Sequence, residues 1–166
     1  MKTIILTLVL TSISLSLYAQ NFEVPENYKL EKVEDYAPYE KDVVKCVDWL
    51  MQTPLNEQVK KREEANAFLL KWLSGSPNVH LEIKMEIVTF METSPDLLVI
   101  YLGGWAKYAL ESQDFENKKA GSLAGIDSVI EFYTRNKTLI QKDKNIEKYV
   151  KMKNKGKLND YIEKNV

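Results

Sequence analysis

The stretch Ser94 to Leu110, SPDLLVIYLGGWAKYAL, constrains the fold more than any other part of the chain. Ser94 offers a side-chain acceptor for an unpaired backbone N–H, and Pro95 fits the first helical position, where its missing N–H is not needed. Asp96 suits the positive end of the helix dipole. Leu97 to Leu102 are then apolar without a break, which on a helix means burial on every side. The run is too short to cross a bilayer, and Lys107 follows it closely. The pattern predicts a buried central helix over 95–111, about 24 Å long at roughly 1.5 Å per residue.

Gly103-Gly104 lies inside this helix, where each glycine costs about 1 kcal/mol relative to alanine. Close approach of a second helix is the favoured reason, and a kink is the alternative. Gly121 and Gly125, four residues apart, place two small positions on one face of a downstream segment. Gly103, Gly104, Gly121 and Gly125 are therefore candidate helix-crossing positions. Tyr101, Trp105 and Tyr108 follow an i, i+4, i+7 spacing and form an aromatic stripe. Core packing is the preferred reading of the stripe, and one wall of a ligand pocket is the other.

The remaining periodicity is helical and points to an all-α compact bundle or short array of helical hairpins, roughly five to seven helices around 95–111. A helix from about Pro38 to Met51 buries Tyr39, Val43, Cys46, Val47 and Leu50. Thr53-Pro54 is read as the start of a second helix, with Ala65, Phe68, Leu69, Trp72 and Leu73 inward and Gly75 as its C-cap. Residues 79–87 alternate as a strand would, but no second strand offers partners. A short extended segment near 79–83 leading into a helix from about Ile83 to Glu92 is the preferred reading. After a polar loop over 111–117, residues 118–136 are helical, with Leu123, Ile126, Ile130 and Tyr133 inward, and Leu139 and Ile140 dock a connector. A basic helical hairpin over about 143–165 closes the chain, broken at Gly156. Three Ser/Thr-Pro pairs, at Thr53, Ser76 and Ser94, do not align as a repeat.

The N-terminus sets the expected compartment. Lys2 followed by the apolar run Ile4 to Leu17 and by Leu17-Tyr18-Ala19 reads as a signal peptide over 1–19, cleaved after Ala19. The product would be periplasmic or extracellular. Residues 20–36 are acidic, contain Pro25 and form an extended N-terminal arm, docked by Phe22 and Val24. Residues 37–166 form a single helical domain, of a size that supports its own core. With 23 Lys+Arg against 24 Asp+Glu, the chain has no general attraction to nucleic acid. Cys46 is the lone cysteine, so no disulfide can form within the chain.

Few chemistries survive this inventory. His80 is the single histidine, which excludes multi-histidine zinc sites. A Cys46–His80 dyad can be written, but Cys46 falls on an inward helix face and reads as a small hydrophobe. No nucleophile elbow, Rossmann, phosphate-loop or calcium-loop pattern is present. No catalytic residue, metal site or cofactor is assigned. The least poor catalytic set is His80 with Glu82 and Glu86, while Glu63-Glu64 reads as solvated charge. Residues 137–166 hold nine lysines and four acids. Lys148, Lys151, Lys153, Lys155 and Lys157 form a candidate patch for an anionic partner, with a solvated helical face as the plainer reading. Asn136-Lys137-Thr138 matches a glycosylation sequon. The expected function is that of a non-catalytic binding or interaction module of the cell envelope, its partner an envelope protein or an anionic surface. A small-ligand-binding protein or carboxylate-based hydrolase, with a pocket near the stripe, is the alternative.

Overall fold

The computed structural model describes residues 22–166, and the signal peptide read at 1–19 lies outside them. Six α-helices carry the described chain: α1 (Glu40–Gln52), α2 (Val59–Leu73), α3 (Leu97–Ser112), α4 (Lys118–Arg135), α5 (Lys144–Asn154) and α6 (Leu158–Asn165). No strand occurs among the described residues. The protein is an all-helical bundle. Its centre is α3, whose residues from Ile100 to Ala106 are all buried. The α1 and α2 helices cover one side of α3. The α4 helix covers another and forms the most extensive helix pair in the fold. The five-residue link over 113–117 folds α3 and α4 into a helical hairpin.

Small residues let that hairpin close. Tyr101 and Trp105 project from successive turns of α3, and Gly125 and Gly121 stand opposite them on α4. A Cβ at Gly125 would lie 2.6 Å from the Tyr101 ring and 2.8 Å from its carbonyl, and one at Gly121 would overlap the Trp105 indole. Gly104 also faces α4, where a Cβ would collide with Ser128 and approach the Ala124 carbonyl at 3.0 Å. Gly103 faces the other way, 3.1 Å from Val47 of α1 and 3.3 Å from Leu69 of α2. The Gly-Gly pair thus serves two different interfaces, because adjacent helical positions lie roughly 100° apart.

The helix starts depart from the sequence reading. Helix α3 begins at Leu97, with Asp96 at its N-cap position and no side-chain capping bond. The Ser94 hydroxyl donates instead to Asp143 Oδ2 at 2.9 Å, and the entry turn is held by backbone bonds from Leu97 to Ser94 and from Leu98 to Pro95. Thr53-Pro54 does not start α2 either. The Leu55 N–H donates to Asn136 Oδ1 and the Thr53 carbonyl accepts from Arg62, so this segment is held by tertiary partners. Helix α2 starts five residues after Pro54, past Gln58 in the left-handed region at φ 47°. Gly75 is not its left-handed cap; Ser74 ends the helix in a right-handed conformation. Gly75 is small because the Tyr36 hydroxyl occupies the space its Cβ would take.

The helix expected over 83–92 does not form. Residues 79–88 carry no regular helix or strand, and Thr89–Glu92 make a single 3₁₀ turn. The reason lies in carbonyls claimed by the C-terminal hairpin. Tyr161 donates to the Glu86 carbonyl at 2.6 Å and Tyr149 to the Ile87 carbonyl at 2.7 Å. Asn145 Nδ2 donates to the Thr89 carbonyl at 2.8 Å. In a helix those carbonyls would face the N–H groups four residues on. Burial agrees: Ile87 and Phe90 are fully enclosed, whereas Ile83 is 45 % exposed.

The N-terminal arm is not simply extended. It includes a 3₁₀ turn over Val33–Asp35, followed by a second over Ala37–Tyr39 that runs into α1. It docks through Phe22, Leu30 and Tyr36, with Val24 only half-buried. Phe22 packs on Trp49, Tyr28 meets Phe68 edge-on at 5.0 Å, and the Trp72 indole donates to the Tyr36 carbonyl at 3.0 Å. At the other end, Gly156 at φ 66° turns α5 into α6, and both helices pack on α4. The connector before α5 leaves Leu139 43 % exposed, so only Ile140 of that pair is substantially packed.

Candidate functional site

Among the described residues, two clefts of nearly equal volume, about 430 Å³ and about 440 Å³, open on the surface of the bundle. The first lies where α2, the start of α3, the end of α4 and the connector over 139–141 meet. Its walls are aliphatic and aromatic, from Leu55, Val59, Val99, Ile100, Phe132 and Ile140. Polar groups enter from Arg62, Glu63 and Asn66 of α2, from Thr93, Ser94 and Asp96 before α3, and from Gln141 of the connector.

Arg62 is the unusual group in this cleft. Extending the buried stripe of Ala65, Leu69 and Trp72 back by one turn places residue 62 on the same face. There the chain has an arginine, only 7 % exposed. Its guanidinium lies over the Trp49 ring at 5.7 Å and the Phe132 ring at 5.4 Å. Nη1 donates to the Leu50 carbonyl at 3.3 Å, and Nη2 donates to the Thr53 carbonyl. A cation beside the last carbonyls of α1 suits the negative end of that helix. Nε–H has no partner among the described residues. Burial depresses the arginine's proton affinity below its ordinary value, but a guanidinium stays charged at any physiological pH.

One wall of this cleft is held by a polar network centred on Asp143. The Asp143 carboxylate, 2 % exposed, accepts from the hydroxyls of Thr93 and Ser94 and from the backbone N–H groups of Asn145 and Ile146. It therefore caps α5 and ties that helix to the turn before α3. Burial alone would raise the Asp143 pKa; the Thr93 and Ser94 hydroxyls and the two N–H groups outweigh it and hold the carboxyl below its ordinary range. Tyr133 extends the network, accepting from the Asp143 N–H and donating to Glu147 Oε1 at 3.1 Å.

The second cleft lies between α1, α3 and α4, and six of its thirteen lining residues are charged, most of them in ion pairs, although Asp127 Oδ1 has no hydrogen-bond partner among the described residues. Lys107 bonds Asp48 and lies 3.7 Å from Glu111. Arg135 pairs with Glu131 at 2.6 Å, and Lys153 reaches Asp127 at 2.8 Å. Gly104 and Tyr108 also line it.

The aromatic stripe is divided between core and surface. Tyr101 and Trp105 are buried, in a T-shaped contact at 6.0 Å, and line neither cleft. Burial pushes the Tyr101 hydroxyl up to about 12, partly offset by its bond to Ser122. Tyr108 is half-buried and donates to Asp114 at 3.2 Å. On the basic hairpin, Lys153 is engaged by Asp127, and Lys148 lies 5.4 Å over the Tyr161 ring. Lys151, Lys155 and Lys157 are exposed.

Of the residues considered for catalysis, Glu63 alone lines either cleft. His80 is exposed. Glu82 pairs with Lys118 at 2.7 Å and Lys84 at 2.6 Å, and these bonds hold its carboxyl down at about 2. A general acid needs the opposite shift. Cys46 is enclosed between α1 and α2, its thiol donating to the Ala65 carbonyl at 3.4 Å, and burial raises it to about 12. Glu86 and Glu64 are exposed, and Glu63 lies at the edge of the first cleft. Asn136 of the sequon is 3 % exposed, with its amide donating to the Phe132 carbonyl and accepting from Leu55, which leaves no room for a glycan on the folded chain. No cluster of metal-ligating side chains and no helix long and apolar enough to cross a membrane occurs among the described residues.

The sequence did hold a signal for Arg62. The chain has 23 basic residues, and arginine stands only at 62 and 135. An arginine on the apolar stripe of α2 is thus a departure from a lysine-rich background. Comparison with known families, with curated proteins and with solved structures finds no match for this chain.

Proposed function

We propose that the chain is a non-catalytic binding module that takes a small, largely apolar ligand in the cleft between α2, α3, α4 and the connector. The observation that carries this reading is the cleft itself. About 430 Å³ of space bordered by nine apolar and seven polar residues has the make-up of small-molecule sites. Val59 and Leu139, 53 % and 43 % exposed at its edge, are apolar side chains that a bound ligand would cover. The lowered Glu82 pKa and the enclosed thiol favour binding over hydrolysis.

Titrating the full chain with decanol, followed by amide NMR, tests the proposal. Saturable shifts confined to residues around Val59, Val99 and Leu139 are expected. They should be weakened by Leu139→Trp, which places a larger side chain at the edge. Shifts scattered over the surface, or none, would sink it.

Export belongs to the same proposal and rests on the N-terminal sequence. The isolated product should begin near Gln20; a product retaining Lys2 would remove the envelope from the reading. A second reading, docking of the basic hairpin to an anionic surface or an envelope protein, is favoured only by exposed Lys151, Lys155 and Lys157. Replacing these with glutamate should release the protein from anionic vesicles if that reading is right.

A further inference from the structure

The outer face of α5 carries a row of lysines without a counter-charge. Lys144, Lys148, Lys151 and Lys155, the last at the helix C-cap, are all exposed. Steps of four, three and four residues keep them within about 60° of arc, at roughly 100° per residue, and along about 16 Å of helix axis. None of the four makes an ion pair among the described residues. Each has a like charge three or four residues away, which disfavours a helix, and Lys144 stands in the first turn, against the helix dipole. The chain has 23 basic and 24 acidic residues, so acids to intersperse were not scarce. Local electrostatics does not account for the row. An anion from outside the chain would.

The surroundings of the row select among anionic partners. Helix α6 lies beside it, with Lys148 5.4 Å over the Tyr161 ring, and exposes Asp160 and Glu163. The positive surface is thus one row wide, whereas a bilayer is a plane. None of the exposed large apolar side chains stands on α5, so this face has nothing to insert among lipid chains. Nor does it suit nucleic-acid bases. Tyr161 lies under Lys148 and donates to the Glu86 carbonyl, and no arginine stands on α5, which leaves no stacking surface. A flexible chain with an anion on each sugar can follow four point charges in a line, and ammonium groups on flexible stems tolerate its spacing. Lysine-rich segments are one known form of sulfated-glycan site.

We propose that the outer face of α5 docks a linear acidic polysaccharide along Lys144, Lys148, Lys151 and Lys155, with one anionic group of the glycan against each ammonium. The proposal deepens the second reading above, docking of the basic hairpin to an anionic partner, by naming the partner's class. It is independent of the apolar cleft.

Isothermal titration of the full chain with polygalacturonate and heparin, beside neutral dextran, phosphatidylglycerol vesicles and duplex DNA, tests it. Both acidic glycans should bind saturably and dextran should not. Log Kd should rise with log salt at a slope of about three, as release of counterions by four contacts requires. Replacing Lys144, Lys148, Lys151 and Lys155 together with glutamine should weaken glycan binding about tenfold or more, the scale of four exposed ion pairs. Replacing Lys29, Lys41, Lys60 and Lys71, equally exposed and outside α5, changes the net charge by the same amount and should leave binding intact. Equal weakening in the two variants overturns the face. Tighter binding to the vesicles or to DNA than to either glycan overturns the polysaccharide assignment and leaves the docking reading standing. No saturable binding to any of the charged probes removes both.

Discussion

The two clefts have almost the same volume, yet they differ in how their charges are satisfied. In the cleft between α1, α3 and α4, each cation already has an acid: Lys107 has Asp48 and Glu111, and Arg135 has Glu131. Such partly exposed pairs solvate one another and leave little to attract a ligand. In the cleft bordered by α2 and the connector, the cation is buried among rings and carbonyls and one donor is left over. Each cleft also holds one enclosed polar atom without a hydrogen-bond partner among the described residues, Arg62 Nε in the first and Asp127 Oδ1 in the second, although Lys153 approaches the latter at 2.8 Å. The clefts therefore differ in the burial of their cation rather than in volume.

The largest expected effect of breaking this contrast comes from Asp143→Ala. It removes the cap of α5 and leaves the Thr93 and Ser94 hydroxyls without their acceptor. The loss should be about 3 kcal/mol, combining a cap with unsatisfied partners. Denaturant unfolding would measure it, and amide shifts should concentrate at the apolar cleft and spare the charged one. The same carboxylate predicts an acid limb. Its folded pKa lies below the ordinary value, so its contribution is complete above the unfolded pKa of about 4 and is lost as pH falls through the folded one. Asn at 143 should flatten the stability profile below about pH 4.

A smaller effect separates the two central glycines. Gly104→Ala drives a Cβ into Ser128 and toward the Ala124 backbone at the charged cleft, and should destabilise by about 2 kcal/mol through overpacking. Gly103→Ala meets the buried side chains of Val47 and Leu69 at 3.1 Å and 3.3 Å, tight contacts that do not overlap. Its gain in helix propensity of about 1 kcal/mol should roughly cancel the contact cost. Thermal melts of the two single variants would show it, and equal losses would contradict the two-interface account.

The smallest effect is at Lys107. Burial alone would lower its pKa, but bonds to Asp48 and Glu111 raise it net. The pair's stabilisation is therefore present below the unfolded lysine pKa and fades as pH climbs through the raised one, above about 10.4. Lys107→Met should cost at most about 1 kcal/mol at neutral pH, since the pair is partly exposed. A loss similar to that of Asp143→Ala would show that the charged cleft is more than a solvated surface.

The sequence by itself determined the all-helical class and the central position of α3, because an unbroken apolar run from Leu97 to Leu102 can only be satisfied by burial on all sides. It also determined the closing hairpin, since Gly156 carries local turning chemistry. Only the tertiary structure decided residues 53–58 and 79–92. Over 53–58 and 83–92 local signals favour helix, and over 79–83 they favour an extended chain, but donors from Arg62, Tyr161, Tyr149 and Asn145 claim the Thr53, Glu86, Ile87 and Thr89 carbonyls. Tertiary structure also decided that Gly75 answers to Tyr36 and that Ser94 answers to Asp143. The cleft at Arg62 was beyond a local reading for the same reason. Helical spacing places the arginine on the buried face of α2, but whether a buried charge finds a partner depends on residues far away in the chain, and at Nε–H none does.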